Sequence, residues 1–200
     1  TCVYSCRSFD ERPFFDKVSA DWKSSPPDET EYQNCGGYDQ DYYLKGNNFL
    51  KAYGCTLMAA VRTKDYWFAF HLGDGKCIGF DDEGFFFEPI PWDSTCFLNV
   101  TTSLCSEKEG HFRYCYGKQP LPAIFLGSDG IDDSYVTLDK LASFYKHILL
   151  MMKQNEGQES LTALSDFLPI LSENGSKDDI SLAFWIDKDK LQTLTDSLSL

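Results

Sequence analysis

No apolar run in this 200-residue chain approaches the ~20 residues that a membrane span requires; the longest, Ile148 to Met152, is far shorter. A membrane-spanning helix is not expected, and Thr1 to Arg12 lacks the basic and apolar regions of a secretory signal. Basic charge is scarce: 18 Lys and Arg stand against 31 Asp and Glu, for a formal charge of −13. Neutralising a nucleic-acid backbone takes clustered cations, and none cluster here, so no nucleic-acid partner is expected. Histidine is rarer still. His71, His111 and His147 lie apart with no pair at metal-ligand spacing, and His71 reads as a hydrogen-bonded structural residue. No Cys/His dyad or Gly-x-Ser-x-Gly elbow marks a nucleophilic enzyme. The eight cysteines contain no Cys-x-x-Cys pair, and Cys2 to Cys6 has the wrong spacing for a zinc knuckle. In a chain of this length without a secretory signal they read as free thiols, with Cys55 and Cys77 as small buried hydrophobes. These absences leave the expectation of a soluble, cytoplasmic globular protein, residues 1–200 forming a single domain without internal repeat or linker.

What is present is 42% hydrophobic and 16% aromatic residues, arranged in two textures. Phe14, Phe15, Val18 and Trp22 recur at near-helical spacing, which predicts a helix over 9–23 ended by Ser24–Pro27. Residues 28–50 read as a polar, Tyr-rich loop. From Cys55 short apolar runs separated by turn residues predict strands at 55–62, 66–72, 77–80 and 85–90. Asp74-Gly75 and Glu83-Gly84 then stand at hairpin positions, and Pro89 and Pro91 end the ladder. Residues 92–120 read as irregular, and 122–126 as a further strand. The face Leu138, Leu141, Phe144, Tyr145, Ile148, Leu149 and Met152 predicts a helix over 137–153 with Thr137 as its cap. A second helix, 160–168, stops before Pro169; a strand at 180–186 and a short amphipathic helix close the chain. Helix, strand meander, strand, two helices, strand is the order of an α+β fold.

Three acidic turns flank apolar strands: Gly73-Asp74-Gly75, Ser128-Asp129-Gly130-Ile131-Asp132-Asp133-Ser134 and Gly175-Ser176-Lys177-Asp178-Asp179-Ile180-Ser181. Mg²⁺ and Mn²⁺ are hard ions that favour carboxylates, carbonyls and water, and strand ends present such groups rigidly. Taken singly, Asp74-Gly75 is most simply a hairpin turn, and Asp178-Asp179 reads equally well as a solvated loop. Asp129, Asp132 and Asp133 crowd three carboxylates into five residues, which is unfavourable unless water or a cation screens them.

Together with Tyr53-Gly54-Cys55-Thr56-Leu57 and the Phe125-Leu126-Gly127 that leads into the second turn, these segments form an ordered series that resembles the type 2C metal-dependent protein phosphatases, in a bacterial-type variant, from about Phe9 to Asp187. The resemblance implies two antiparallel sheets sandwiched between helix pairs. It also implies two Mn²⁺ or Mg²⁺ ions at one edge, which activate a water for attack on a phosphoserine or phosphothreonine of a phosphorylated protein substrate. Carried over residue by residue, it makes Asp129 the central metal ligand of this half of the site. Asp133 and Asp178 match the next two aspartates, and Asp74 matches one that helps hold a further, weaker metal. Asp132 and Asp179 have no firm counterpart and, with Gly130, fall behind the ligands or at the surface.

The family's opening Glu-Asp pair, its Asp-Gly-x-Gly turn and its early phosphate-gripping arginine are not found before Cys55; Arg7 and Arg12 stand in another context. The chain is therefore expected to begin inside the domain, without the first strands. Two readings follow: an enzyme whose remaining ligands come from elsewhere, or an inactive phosphatase-like module that binds a phosphoprotein. A domain with calcium-stabilised loops is a third.

Overall fold

The computed structural model describes residues 12–24, 30, 54–94, 96, 100–105, 112–154 and 157–198. The fold is mixed α+β, with two antiparallel sheets and flanking helices. Helix α1 spans Arg12–Lys23. Strands β1 (Leu57–Arg62), β2 (Trp67–Leu72), β3 (Lys76–Phe80), β4 (Phe86–Phe87), β5 (Arg113–Gly117) and β6 (Ala123–Gly127) follow, and then the single turn α2 (Asp129–Asp132). Helices α3 (Leu138–Gln154) and α4 (Gly157–Asn174), strand β7 (Leu182–Ile186) and helix α5 (Lys188–Ser197) complete it. One sheet has the order β1-β2-β5 and the other β4-β3-β6-β7.

That partition corrects the hairpin expected at Asp74-Gly75. β2 pairs with β1 and β5, β3 pairs with β4 and β6, and so Gly73-Asp74-Gly75 carries the chain from one sheet to the other. The loop expected over 28–50, apart from Thr30, and the expected helical residues Phe9 to Glu11 lie outside the described residues. Residues 92–120, read as irregular, contain β5, which is held in place by its register on β2, Trp67 opposite Gly117 through His71 opposite Arg113. The run expected at 85–90 pairs over two residues only, because Pro89 cannot donate to a ladder. α4 continues through Pro169 to Asn174. Proline forfeits one i→i−4 bond, but Leu164, Leu168 and Leu171 keep the helix against the core on both sides of it.

The period-two alternation of the central strands builds two cores. On β3 and β6, Cys77 and Ile124 face the first sheet and meet Trp67, Ala69 and Cys115 between the sheets. Ile78, Phe80, Ala123 and Phe125 face the other way, against Ile131, Leu141, Tyr145, Ile148 and Leu149, with Leu164 from α4 and Leu191 and Leu194 from α5. Burying one such side chain contributes about 1.5–3 kcal/mol, so this second cluster fixes α2, and the turn that contains it, onto β6. The outer face of the three-stranded sheet is covered by α1, whose Phe15 stacks on Phe112 with ring centroids 4.4 Å apart and meets Phe70 edge-on at 5.7 Å.

Candidate functional site

The end of β6 is where the three acidic turns meet. β6 is paired on both sides, Gly127 standing opposite Lys76 of β3 and opposite Leu182 of β7. The turn before β3 and the turn before β7 therefore arrive beside Ser128 and Asp129. Ser128 N–H donates to Ser181 O (3.0 Å), while Ser128 Oγ accepts from Ser181 N–H (3.0 Å) and donates to Asp179 O (3.2 Å). Gly130 O accepts from both Ser134 Oγ (2.7 Å) and Ser176 Oγ (2.9 Å). The fit is tight enough that a Cβ on Gly130 would lie 2.6 Å from Asp179 O, so glycine is what lets the second and third turns touch. Lys177 takes a left-handed φ of 62°, and Ser172 Oγ holds Asp178 O at 2.7 Å; together they aim this turn at α2.

This packing brings together the four aspartates singled out in the sequence. Burial first, then the negative charges of Asp74, Asp178 and Asp133, push the Asp129 carboxyl above its ordinary value; the Gly130 N–H, 3.0 Å from Asp129 Oδ1, opposes them. Asp133 and Asp178 stand exposed, Asp74 and Asp129 partly buried. Asp132 is not a surface residue. It turns inward, with a side chain 14% exposed, and burial pushes its carboxyl up to about 7. Its Oδ2 lies 3.9 Å from Lys76 Nζ, and its Oδ1 has no hydrogen-bond partner among the described residues. Lys76 is shared with Glu88, at 3.4 Å, and sits 5.5 Å from the Trp92 ring centroid. Asp179 contributes its carbonyl to Ser128 while the residue as a whole stays exposed.

The donor chemistry fits a hard divalent cation: four carboxylates, one of which holds its proton more tightly because of burial first and the other three second. Among the described residues no three carboxylate, histidine or cysteine side chains converge into a coordination shell.

A second charged group, absent from the sequence reading, fixes the crossover turn. Gly73 has φ +119°, and a Cβ there would lie 2.4 Å from Thr56 Cγ2. Its N–H donates to Thr102 Oγ1 (3.1 Å), which donates in turn to Asp93 Oδ2 (3.1 Å). Its carbonyl accepts from Arg113 Nη2 (2.6 Å). Arg113 Nη1 donates to Pro91 O, Nη2 also meets His71 Nδ1 at 3.2 Å, and Nε lies 3.8 Å from Asp93 Oδ2. Burial, then the charge of Arg113, lowers His71 to about 4, so the imidazole is neutral and serves as a structural hydrogen-bonding residue, as expected. Nothing local in the sequence marks Asp93, Thr102 and Arg113: they join Gly73 across 20 to 40 residues, and only the pairing of β5 with β2 delivers the arginine.

The model of the protein phosphatase 2C family matches residues 5–168. The chain belongs to the protein phosphatase 2C family. Among solved structures it is similar to an arginine-to-lysine variant of bacterial serine phosphatase (13% identity, TM-score 0.54, covering 92% of this chain and 71% of that one). It is also similar to a sex-determining protein of C. elegans (13% identity, TM-score 0.50, covering 89% and 53%). Against a bacterial serine phosphatase without that substitution the TM-score is 0.49 at 15% identity, and this 2C-family chain spans 62% of that protein's length. No curated protein matches.

Proposed function

We propose that this chain is a metal-dependent phosphoprotein phosphatase acting on phosphoserine or phosphothreonine, with Asp129, Asp133 and Asp178 as ligands for Mn²⁺ or Mg²⁺ and Asp74 as a weaker contributor. The observation that carries the reading is that Asp129 sits where three separate turns meet, with Asp74, Asp133 and Asp178 all acting on its charge. Family membership and the likeness in fold support the reaction class. When bound, divalent ions would supply charge neutralisation on the phosphoryl oxygens and a water of lowered pKa.

The chain's own residues account for positioning. The Ser128 and Ser134–Ser176 hydrogen bonds hold the second and third turns in fixed relation, and the Arg113–Gly73 bond holds the first. Preorganised groups of this kind do not have to be reordered as the reaction proceeds. The partly buried Asp129 carboxyl releases its last proton more readily once a cation is near, so loading is expected to be weaker at acid pH.

The test is hydrolysis of p-nitrophenyl phosphate and of a phosphoserine peptide with added Mn²⁺, against a chelator. Turnover that needs the metal and falls at least about a hundredfold in Asp129→Asn is the expected outcome. A folded chain that binds the phosphopeptide without hydrolysing it would leave a binding module in place of the enzyme.

A further inference from the structure

The approach to β1 and the segment 100–105 run beside each other near the crossover turn. Leu104 N–H donates to Cys55 O at 3.0 Å. Backbones in such contact lie about 5 Å apart, which sets Cys55 beside Leu104 with Cys105 one residue further along; a disulfide bridges Cα atoms roughly 4.4–6.8 Å apart. Leu104 is buried, at 7% exposed; Cys55, expected from the sequence to be buried, is exposed, and Cys105, the next residue after Leu104, is half-buried. Both thiols are free. Burial, then the neighbouring Cys105, pushes the Cys55 thiol up, as expected for two sulfurs within range of each other. Ser103 Oγ lies 2.7 Å from Cys105 Sγ.

We propose that Cys55 and Cys105 are a redox-active dithiol, which peroxide converts to a reversible disulfide that clamps the Gly73–Asp74 turn. The two cysteines belong to the two segments that hold that turn. Cys55 precedes Thr56, whose side chain fills the space beside Gly73, and Cys105 follows Thr102, whose hydroxyl accepts the Gly73 N–H. A covalent bridge between the two segments limits their separation, and with it the opening of the turn that carries Asp74.

The chemistry balances with hydrogen peroxide as oxidant. The Cys105 thiolate attacks one peroxide oxygen and the O–O bond breaks; the departing hydroxide takes the former thiol proton and leaves as water, and Cys105 becomes a sulfenic acid. Cys55 sulfur then attacks Cys105 sulfur and the S–O bond breaks; the hydroxide takes the Cys55 proton and leaves as a second water. Two thiols and one peroxide give one disulfide and two waters. A small thiol such as dithiothreitol reverses it.

The experiment treats the full chain with hydrogen peroxide, blocks remaining thiols with N-ethylmaleimide, and maps cross-linked peptides by mass spectrometry. Hydrogen exchange at the Gly73 amide is followed in parallel. The expected result is a Cys55–Cys105 peptide pair that dithiothreitol abolishes, with exchange at Gly73 slowed about threefold or more in the oxidised chain. Cys55→Ser and Cys105→Ser should each lose both signals. Recovery of the two cysteines as separate alkylated peptides, linkage of either to a different cysteine, or a cross-link with Gly73 exchange unchanged would overturn the proposal. Neither readout depends on turnover, so the outcome is separate from whether the chain is an active phosphatase; only the consequence for catalysis rests on that reading.

Discussion

Two charged groups meet at the Gly73–Gly75 turn and are built on opposite terms. On one side, Asp74, Asp133 and Asp178 act on the charge of Asp129, and among the described residues no ion pair is formed by these four carboxylates; on the other, Arg113 joins Asp93, Gly73 and His71 in a knot of paired groups. The knot has the character of structure, because most of its groups pair with one another, though Arg113 Nε and His71 Nε2 find no hydrogen-bond partner among the described residues. Under the proposed function the aspartates are a site, because among the described residues folding assembles burial and like charge around Asp129 that a bound cation would relieve. The comparison predicts opposite responses to mutation. Arg113→Ala leaves Asp93 buried without its cation and Gly73 O without its donor, and should cost about 3–5 kcal/mol in urea denaturation. Asp129→Asn, measured in chelator at pH 7, should leave stability unchanged or raise it. Equal losses in the two variants would mean that the aspartates are structural after all.

The next effect concerns the seam between the second and third turns. Gly130→Ala drives a methyl group into Asp179 O, a backbone atom that cannot step aside, and should cost about 1–3 kcal/mol. It should also weaken Mn²⁺ binding, read by the shift that the ion produces in thermal unfolding, because Asp178 moves away from Asp129. A variant that is destabilised yet shows the full metal shift would show that the third turn is dispensable for the ion.

The sequence makes the aspartates legible and leaves the knot unseen, for a physical reason. Each acidic turn is a local event, a strand end with glycine and carboxylates within seven residues, and three such segments, in order after Tyr53–Leu57, carry the family likeness. The knot is a product of register. Arg113 reaches Gly73 only because β5 lies on β2 with Arg113 opposite His71, and Arg-Tyr-Cys-Tyr-Gly has too little apolar alternation to announce a strand. The same limit explains the turn at Asp74. Gly-Asp-Gly between two strands suits a hairpin or a crossover equally well, and the choice is made by which partners β2 and β3 find elsewhere. The helices were easier to read, since the α3 face lies within one continuous segment; only the continuation of α4 past Pro169 needed the core to be seen.

The smallest effect, and the one that sharpens the comparison most, is in pH. Asp132 and His71 lie on the two sides of the turn and titrate with opposite consequences. For Asp132, the unfolded carboxyl has lost its proton above about pH 4, while the folded one keeps it to about 7. The folded chain then binds more protons than the unfolded chain in that window, and its stability falls as pH rises. For His71, the unfolded imidazole is protonated below its ordinary 6.5 and the folded one only below about 4. Here the unfolded chain binds more protons, and stability rises with pH through nearly the same window. In the unaltered chain the two contributions offset each other. Asp132→Asn should expose the His71 rise, and His71→Gln the Asp132 fall, so that between pH 4.5 and 6.5 the two variants' stability curves diverge by about 1 kcal/mol per pH unit for each titration unmasked. Urea midpoints in metal-free buffer across that range measure it. Parallel curves for both variants would place neither group where the fold holds it, and a slope of the wrong sign in His71→Gln would mean that Lys76, rather than burial, governs the Asp132 carboxyl.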